Sequence, residues 1–189
     1  LSHHNTSGVL HKMPKPTIAA IGGAVAGAGL SRALACDLRI AVDTAVMTTA
    51  FAKVGLAGDY GGTWFLTQLV GPAKAKELYF LPERMDMATA KQLGIVNWVA
   101  PAATYEEEWR NLANRLAAGP PIAYRYMKEN LNRAMAGEVD LRDARGTSRA
   151  LLRAGEKGTL APDGTVVTET FAVNASPIAS VSQGDVPYR

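Results

Sequence analysis

Carboxylates that could transfer protons are scarce in the first part of the chain. Before Glu77, the first glutamate, the sequence contains only three of them: Asp37, Asp43 and Asp59. Proton transfer by a side chain needs a positioned group that can both take up and release a proton. Any acid or base chemistry by a carboxylate in this half must therefore use one of these three aspartates.

Asp59 is the strongest of the three candidates. It lies in residues 54–63, an apolar, glycine-rich loop directly before a predicted helix. Apolar surroundings disfavour the charged form of a carboxylate, which would suit Asp59 to proton transfer. The same spacing also permits a structural role, as the N-cap of the following helix. Asp37 begins a predicted strand and Asp43 follows its end, so we interpret both as structural.

A second candidate is the turn that contains glycines at positions 22, 23, 27 and 29. A helix that begins here would offer unpaired backbone N–H groups, and glycines let a ligand's oxygen approach them closely. The N–H of Ala28 or Gly29 could hold a thioester carbonyl that becomes an enolate oxyanion, where one donor contributes about 3 kcal/mol. Close packing of a helix on a strand would explain the same glycines.

Other site classes do not fit the spacing. Gly27-Ala-Gly29 begins like a dinucleotide fingerprint, but Arg32 replaces the third glycine and Thr49 stands near the place of the expected acid. Ser31 resembles a nucleophile elbow, yet all three histidines lie upstream of it, against the usual order in such hydrolases. Those histidines show no zinc spacing, so we expect no metal site.

Short apolar runs predict an α/β core around these candidates. Residues 17–22 indicate a strand buried on both faces, residues 28–35 a short helix, and residues 37–42 a second strand, with a weaker third strand at 46–49. Strand, tight turn, helix and strand in this order imply a parallel crossover. The candidate residues would then lie in the turns of this core.

Helical signals dominate the following part of the chain, up to residue 154. The pair Gly71-Pro72 predicts a break between two helices, and Thr104 with Glu107 has the spacing of a capping box. Pro121 is expected to begin another helix. Four arginines would share one face of a further helix, which is typical of a solvated surface: Arg142, Arg145, Arg149 and Arg153.

Composition excludes several classes of protein. The single cysteine, Cys36, cannot form an intrachain disulfide and fits a reducing compartment, so we expect a cytoplasmic protein. The net charge of +3 is too small and too dispersed for a nucleic-acid-binding surface. Residues 17–31 are uncharged but shorter than the roughly 20 residues that span a bilayer. We therefore expect neither a nucleic-acid partner nor a membrane.

Several segments together resemble the enoyl-CoA hydratase/isomerase (crotonase) superfamily. The segments include the glycine-rich turn, the Asp59 loop and a spaced alanine–glycine pattern. Their ranges are residues 15–29, 33–41, 50–64, 69–78 and 88–96. The resemblance implies a ClpP/crotonase-like α/β fold, a spiral of ββα turns with a C-terminal helical region. Residues 1–100 would form a partial core, residues 101–154 a helical trimerisation region, and residues 155–189 an irregular tail.

Two ends of the chain depart from the family pattern. The segment that carries the first oxyanion N–H and much of the coenzyme A surface would precede Leu1, so the sequence resembles an N-terminally truncated member. Nothing from Gly155 onward resembles the family's terminal helix. This chain is therefore expected to hold one part of an active site.

By resemblance, the substrate is an acyl-CoA thioester whose oxygen is held by two backbone N–H groups while an enolate forms. The second of these donors falls on Ala28. Coenzyme A belongs to the substrate, so no separate cofactor is expected, and the implied assembly is a homotrimer or a hexamer made of two trimers. Further residues are expected to bind the substrate: Gly29, Phe51, Tyr60, Gly62 and Trp64.

Two substitutions argue against simple hydration. Family hydratases carry two glutamates, and the matching positions here are Ser31 and Phe51, neither of which can act as a carboxylate. Asp59 instead matches the working aspartate of dienoyl-CoA isomerases, ring-epoxide or oxepin isomerases and 4-chlorobenzoyl-CoA dehalogenases. One carboxylate can move a proton between two carbons, so double-bond isomerisation is favoured. Two alternatives stay open: a non-catalytic subunit or inactive fragment, and a hydrolase or dehalogenase with Asp59 as nucleophile.

Overall fold

The computed structural model describes residues 5–136, 138–140, 151–153, 156–160 and 166–170, with side chains for residues 6–136. These residues fall into two compact units, Leu1–Lys128 and Glu129–Arg189. Each unit is described by itself below.

The first unit mixes helices and strands. In chain order they are α1 (Asn5–Lys12), β1 (Ile18–Ile21), β2 (Val25–Ala26), α2 (Gly27–Leu34), β3 (Leu38–Val42), β4 (Val46–Thr48), a 3₁₀ turn (Phe51–Val54), α3 (Gly62–Phe80), β5 (Met85–Asp86), α4 (Met87–Gln92), β6 (Trp98–Ala100) and α5 (Tyr105–Ala117). Helix α6 (Pro121–Met135) begins in this unit and ends in the second. No helix in the described ranges has the length and apolar character needed to cross a membrane.

Two small sheets form the framework of this unit. One is parallel, with strand order β1-β3-β6, and the other has the order β2-β4-β5, in which β2 and β4 are parallel and β5 is antiparallel. The consecutive strands β1 and β2 therefore belong to different sheets and are followed by α2, and β3 and β4 repeat this pattern before α3. This is the ββα repeat that the resemblance implies.

Most predicted core elements are confirmed to within two residues. The predicted strand at 17–22 is β1, the helix at 28–35 is α2, and the strands at 37–42 and 46–49 are β3 and β4. Strand β2 was not predicted, because its two residues lie inside the glycine-rich turn and are too few to show a strand's alternation.

The predicted break at Gly71-Pro72 is also confirmed. Gly71 adopts φ 76° and ψ 165°, which no helical residue does, and so divides α3 into two helical halves. Pro72 follows the break, where its missing N–H removes no helical hydrogen bond. The second half of α3 can therefore run in its own direction and bring Leu78 and Tyr79 back against the sheets, where the Thr49 hydroxyl donates to the Leu78 carbonyl at 2.7 Å.

The predicted capping box at the start of α5 is wrong. Thr104 occupies the N-cap position, but its side chain accepts no bond from a backbone N–H. Its hydroxyl instead donates to the carboxylate of Glu108 at 2.7 Å. Thr104 has φ −113° and ψ −7° rather than the extended backbone that usually accompanies a cap, which explains the difference.

A buried ion pair ties α6 to the beginnings of β1 and β3. The Lys128 Nζ lies 2.7 Å from Asp37 Oδ2 and donates to the carbonyl oxygens of Leu10 and Lys15 at 2.8 and 3.2 Å. The same carboxylate oxygen accepts the backbone N–H and the hydroxyl of Thr17 at 2.7 and 2.9 Å. These bonds agree with a structural role for Asp37.

The second unit contains the end of α6 and two antiparallel strand pairs. Strand β7 (Glu138–Asp140) pairs with β8 (Leu151–Arg153), and β9 (Glu156–Leu160) pairs with β10 (Val166–Thr170). Arg153 thus lies in a strand rather than in the predicted helix. A short apolar run is compatible with either element, and pairing with a neighbouring strand determines which one forms. The region predicted to be irregular from residue 155 likewise contains β9 and β10. Arg142, Arg145 and Arg149 lie outside the described residues.

Replacing Lys128 by methionine should lower the free energy of unfolding by about 3 kcal/mol, because the substitution leaves Asp37 half-buried without its cation. The exposed pair between Lys74 and Glu77 provides the matched control, and Lys74→Met should cost less than about 1 kcal/mol. Urea denaturation of both variants measures the difference. Equal losses at the two lysines would contradict the assigned role of the buried pair.

Candidate functional site

The site is built around the first turn of α2. Ala26 ends β2 with an extended backbone, and Gly27 then turns the chain with φ 49°, a left-handed value that favours glycine. The N–H groups in the first turn of a helix have no partner within that helix, and the helix dipole makes this end positive. Ala28 lies in this turn, at the positive end of α2.

Phe51 packs beside this turn. It is 5% exposed, and a Cβ placed on Gly27 would lie 3.7 Å from its ring. Its ring stacks parallel to that of Tyr79, with centroids 6.1 Å apart. Ala50, just before Phe51, has a left-handed φ of 60°, which is a strained conformation for alanine. This conformation sets the direction of the 3₁₀ turn that follows. The position that the resemblance assigns to a glutamate is therefore filled by a buried apolar wall.

Ser31 is the second of the glutamate positions, and it lies one helical turn after Gly27. It is 1% exposed, and its hydroxyl donates to the Gly27 carbonyl at 3.2 Å. The Ser31 hydroxyl is thus buried and already donates its proton to a protein carbonyl, so it is poorly placed to activate water.

Gly62, the first residue of α3, closes the site from the other side. A Cβ placed on Gly62 would lie 2.8 Å from the Tyr79 hydroxyl oxygen and 2.9 Å from Cβ of Ser31, and it would overlap with the Ser31 hydroxyl. The backbone of α3 can reach the two hydroxyl groups only because this residue has no side chain. Gly62 is therefore a steric requirement of the site.

Tyr79 is a site residue that the sequence analysis missed. Burial raises the pKa of its phenol to about 12, with a smaller contribution from the charge of Asp59 and an opposing one from the bond to Ser31. The phenol therefore remains an O–H donor throughout the neutral range. One signal was available: Tyr79 lies one turn after the buried Ala75 on α3, and a tyrosine on a buried face usually has a hydrogen-bond partner.

Asp59 lies in the loop before α3, and its surroundings differ from those expected. Its carboxylate is exposed, so the chain itself does not place it in apolar surroundings. Nor does it cap α3, because Gly61 occupies the N-cap position and Gly62 donates its N–H to the backbone carbonyl of Asp59 at 3.0 Å. The expectation of apolar surroundings assumed a covered loop, whereas the residues leading into it, 52–57, are exposed.

Tyr60 and Arg32 lie beside the same loop and helix end. Tyr60 has the left-handed φ of 49°, which is strained for a tyrosine, and the Arg32 guanidinium lies 5.6 Å from its ring centroid. The Arg32 Nε also donates to the Ala28 carbonyl at 3.4 Å. A fixed positive charge therefore lies within one turn of the expected oxyanion donor.

Gly29 and Trp64 have different surroundings. Gly29 lines a shallow groove of about 360 Å³ together with Gly23, Val25 and Arg32, on the side of α2 that faces β1. The Trp64 ring contacts His11 and Phe65, with centroids 5.5 and 5.1 Å away, and not the stacked rings of the site. The structure thus groups Ala28, Phe51 and Gly62 around one turn but does not bring Trp64 into that group.

A separate apolar groove of about 530 Å³ runs between β1 and α5. It is lined by Ile18, Trp109 and Tyr124 among others, and Ala28, Phe51 and Gly62 are not among its lining residues. Within the described ranges, no three His, Cys, Asp or Glu side chains are grouped so that they could hold a metal ion.

Comparisons with known proteins agree on one family. The family described as enoyl-CoA hydratase/isomerase matches residues 3–154. The chain is 36% identical over 131 residues to the 1,2-epoxyphenylacetyl-CoA isomerase of Escherichia coli strain K12, which covers 69% of this chain and 50% of that protein. It is also similar to the crystal structure of an enoyl-CoA hydratase from Polaromonas sp. JS666, with 41% identity, a TM-score of 0.66, and 69% and 51% of the two chains covered.

A further similar structure, from Thermobifida fusca YX, was solved in complex with acetoacetyl-CoA. It has 37% identity to this chain and a TM-score of 0.64, and the match covers 66% of this chain and 49% of that one. The chain spans about half the length of the relatives that it matches. The names of these relatives include both hydratases and an isomerase.

Gly62→Ala should destabilise the protein by about 1–3 kcal/mol, because the new methyl group must displace the hydroxyl groups of Ser31 and Tyr79. Gly23→Ala is the matched control, since a Cβ there meets nothing within 4 Å and the backbone is not left-handed. Thermal unfolding followed by circular dichroism compares the two. A Gly62→Ala variant as stable as Gly23→Ala would show that the two helices do not meet as described.

Proposed function

The chain belongs to the enoyl-CoA hydratase/isomerase family, and from this premise we propose that it shifts the double bond of an enoyl-CoA thioester through an enolate. One observation carries the preference for isomerisation over hydration. Both glutamate positions of the family hydratases hold groups that cannot act as carboxylates, the bonded Ser31 and the buried Phe51. Asp59 is then the one carboxylate on the loop beside them.

Enolate formation is the first requirement of the proposed reaction. Removing a proton from the carbon next to a thioester moves negative charge onto the thioester oxygen. The Ala28 N–H at the positive end of α2 is the proposed donor to this oxygen, and such a donor typically lowers the barrier by about 3 kcal/mol. Since the backbone supplies the bond, alanine can serve where the family usually has glycine.

Proton movement is the second requirement, and we assign it to Asp59. On a 3-enoyl-CoA, its carboxylate would remove a proton from C2, and the released electron pair would spread over the thioester and the C3–C4 double bond. The resulting carboxylic acid would return the proton at C4, leaving the double bond between C2 and C3. One group thus completes the cycle, with no net change in protons and no addition of water.

Hydration would need a second group, because water must be activated while the α-carbon is protonated. Ser31 is a poor candidate for that task, since the residue is only 1% exposed and its hydroxyl already donates to the Gly27 carbonyl. Phe51 has no polar atom in its side chain. These two residues support isomerisation, although relatives of the chain carry the names of both activities.

An exposed Asp59 is consistent with this proposal because a bound acyl group would itself cover the loop and exclude water. The coenzyme enters as part of the substrate, so the proposed reaction uses no separate cofactor. The homotrimer or hexamer stays a prediction of the resemblance, and the cytoplasmic setting stays a prediction from the single cysteine, Cys36.

Hydrogen exchange in deuterated water tests the role of Asp59. With a 3-enoyl-CoA as substrate, the wild-type chain should exchange the C2 protons and form the 2-enoyl product, and Asp59→Asn should slow both by about 100-fold or more. Asp43→Asn is the matched control, because Asp43 is an exposed aspartate in the turn after β3 and should leave both rates unchanged.

The outcomes of this experiment separate the alternatives. Exchange by the wild type that is no faster than exchange by Asp59→Asn would remove Asp59 as the base and favour a non-catalytic subunit. Addition of water to a 2-enoyl-CoA at the rate of the double-bond shift, seen by mass spectrometry, would contradict the preference for isomerisation.

A further inference from the structure

The loop that carries Asp59 contains a tight turn with an unusual residue inside it. The backbone N–H of Gly62 donates to the Asp59 carbonyl at 3.0 Å, which closes a four-residue turn. Both central residues are left-handed, Tyr60 with φ 49° and Gly61 with φ 72°. This is the pattern of a type I′ turn, whose central positions favour glycine, asparagine and aspartate. A tyrosine at the first of these positions therefore needs a compensating contact.

Arg32 supplies that contact. Its guanidinium lies 5.6 Å from the centroid of the Tyr60 ring, within the range of a cation–π interaction. Its Nε donates to the carbonyl oxygen of Ala28 at 3.4 Å, so the side chain is also held by its own helix, α2. One side chain thus joins the first turn of α2, where the proposed oxyanion donor lies, to the residue that follows Asp59.

The loop is packed on both sides of Asp59, whereas Asp59 itself is exposed. On the N-terminal side, Gly58 is half-buried, and a Cβ placed on it would lie 3.3 Å from the ring of Tyr79. On the C-terminal side, Tyr60 is half-buried and contacts Arg32. The position of the Asp59 carboxylate is therefore set by the backbone of its two neighbours.

We propose that Arg32 is a positioning residue: through Tyr60 it fixes the turn that presents Asp59, and so sets the carboxylate relative to the Ala28 N–H. The inference rests on the proposed function and deepens it, because proton transfer and enolate stabilisation must act on the same thioester. Arg32 acts through the tyrosine ring and not on the reacting atoms.

The proposal accounts for a tyrosine in a conformation that strains it. A strained backbone persists only where the surroundings determine it, and such strain is concentrated at functional sites. Glycine at position 60 would form the same turn without strain, but it would offer no ring to Arg32, and the turn could then move relative to α2. A displacement of about 1 Å can lower the rate of a positioned reaction by about 100-fold.

Two substitutions test the role of Arg32. Arg32→Met removes the cation and Tyr60→Gly removes the ring, and each should lower kcat for the isomerisation of a 3-enoyl-CoA about tenfold. KM, and the dissociation constant of butyryl-CoA, whose acyl chain has no double bond, should change less than about threefold. Steady-state kinetics and calorimetric titration measure these quantities. Tyr60→Gly should unfold near the wild-type temperature, because relief of the left-handed strain offsets the loss of the ring.

The double variant identifies the path by which Arg32 acts. Since the proposed path runs through the Tyr60 ring, Arg32→Met should have no further effect on kcat in the Tyr60→Gly background. Tyr60→Phe keeps the ring and should retain the wild-type kcat. Arg125→Met is the matched control, because the Arg125 guanidinium lies 5.7 Å from the Tyr126 ring in the same kind of contact, and kcat should stay unchanged.

The outcomes separate this inference from the proposed function. Full kcat in Arg32→Met, which decides the question even if Tyr60→Gly does not fold, would overturn the inference and leave the proposed function standing. So would losses that multiply in the double variant, or a loss confined to KM, since Arg32 would then act on α2 or on the substrate. A wild-type chain that moves no double bond would overturn the proposed function, and this inference with it.

Discussion

The turn at Gly27 is the constraint on which the rest of the site depends. Strand β2 must end and α2 must begin within one residue, and the left-handed φ of Gly27 accomplishes this. The Gly27 carbonyl accepts the hydroxyl of Ser31, one helical turn later. The neighbouring elements then fit around it: Phe51 packs against Gly27, and Gly62 allows the start of α3 to meet Ser31. The apolar wall at Phe51 and the close packing of Ser31 against Gly62 both depend on this turn.

The surrounding core holds this turn in place. Helix α2 has eight residues, too few to be stable alone, so its position comes from packing. Its inner face buries Leu30 and Leu34, and the buried Arg39 donates to the carbonyl oxygens of Cys36 and Ile95 at 2.6 Å each, which joins the end of α2 to β3 and to the chain before β6. These contacts fix α2 against β3 and the chain before β6.

The sequence was informative where local chemistry determines the structure. Glycine and proline located the turn before α2 and the break in α3, and short apolar runs located β1 and β3. It was uninformative where distant residues meet. Tyr79 and Ser31 both lie against Gly62, Tyr79 only after the break at Gly71 redirects α3, and the exposure of Asp59 depends on what covers its loop. Thr104 had the right spacing for a capping box, but its backbone is not extended and its side chain accepts no backbone N–H.

We propose that the Ala28 N–H donates a hydrogen bond to the developing negative charge of an acyl-CoA enolate. Nuclear magnetic resonance of the ¹⁵N-labelled chain, titrated with acetoacetyl-CoA, tests this role, because an amide proton moves downfield when it donates to an anion. We expect a large, saturable downfield shift at Ala28, with Gly94, in the turn after α4, unmoved. Saturable binding that leaves the Ala28 amide unshifted would contradict it.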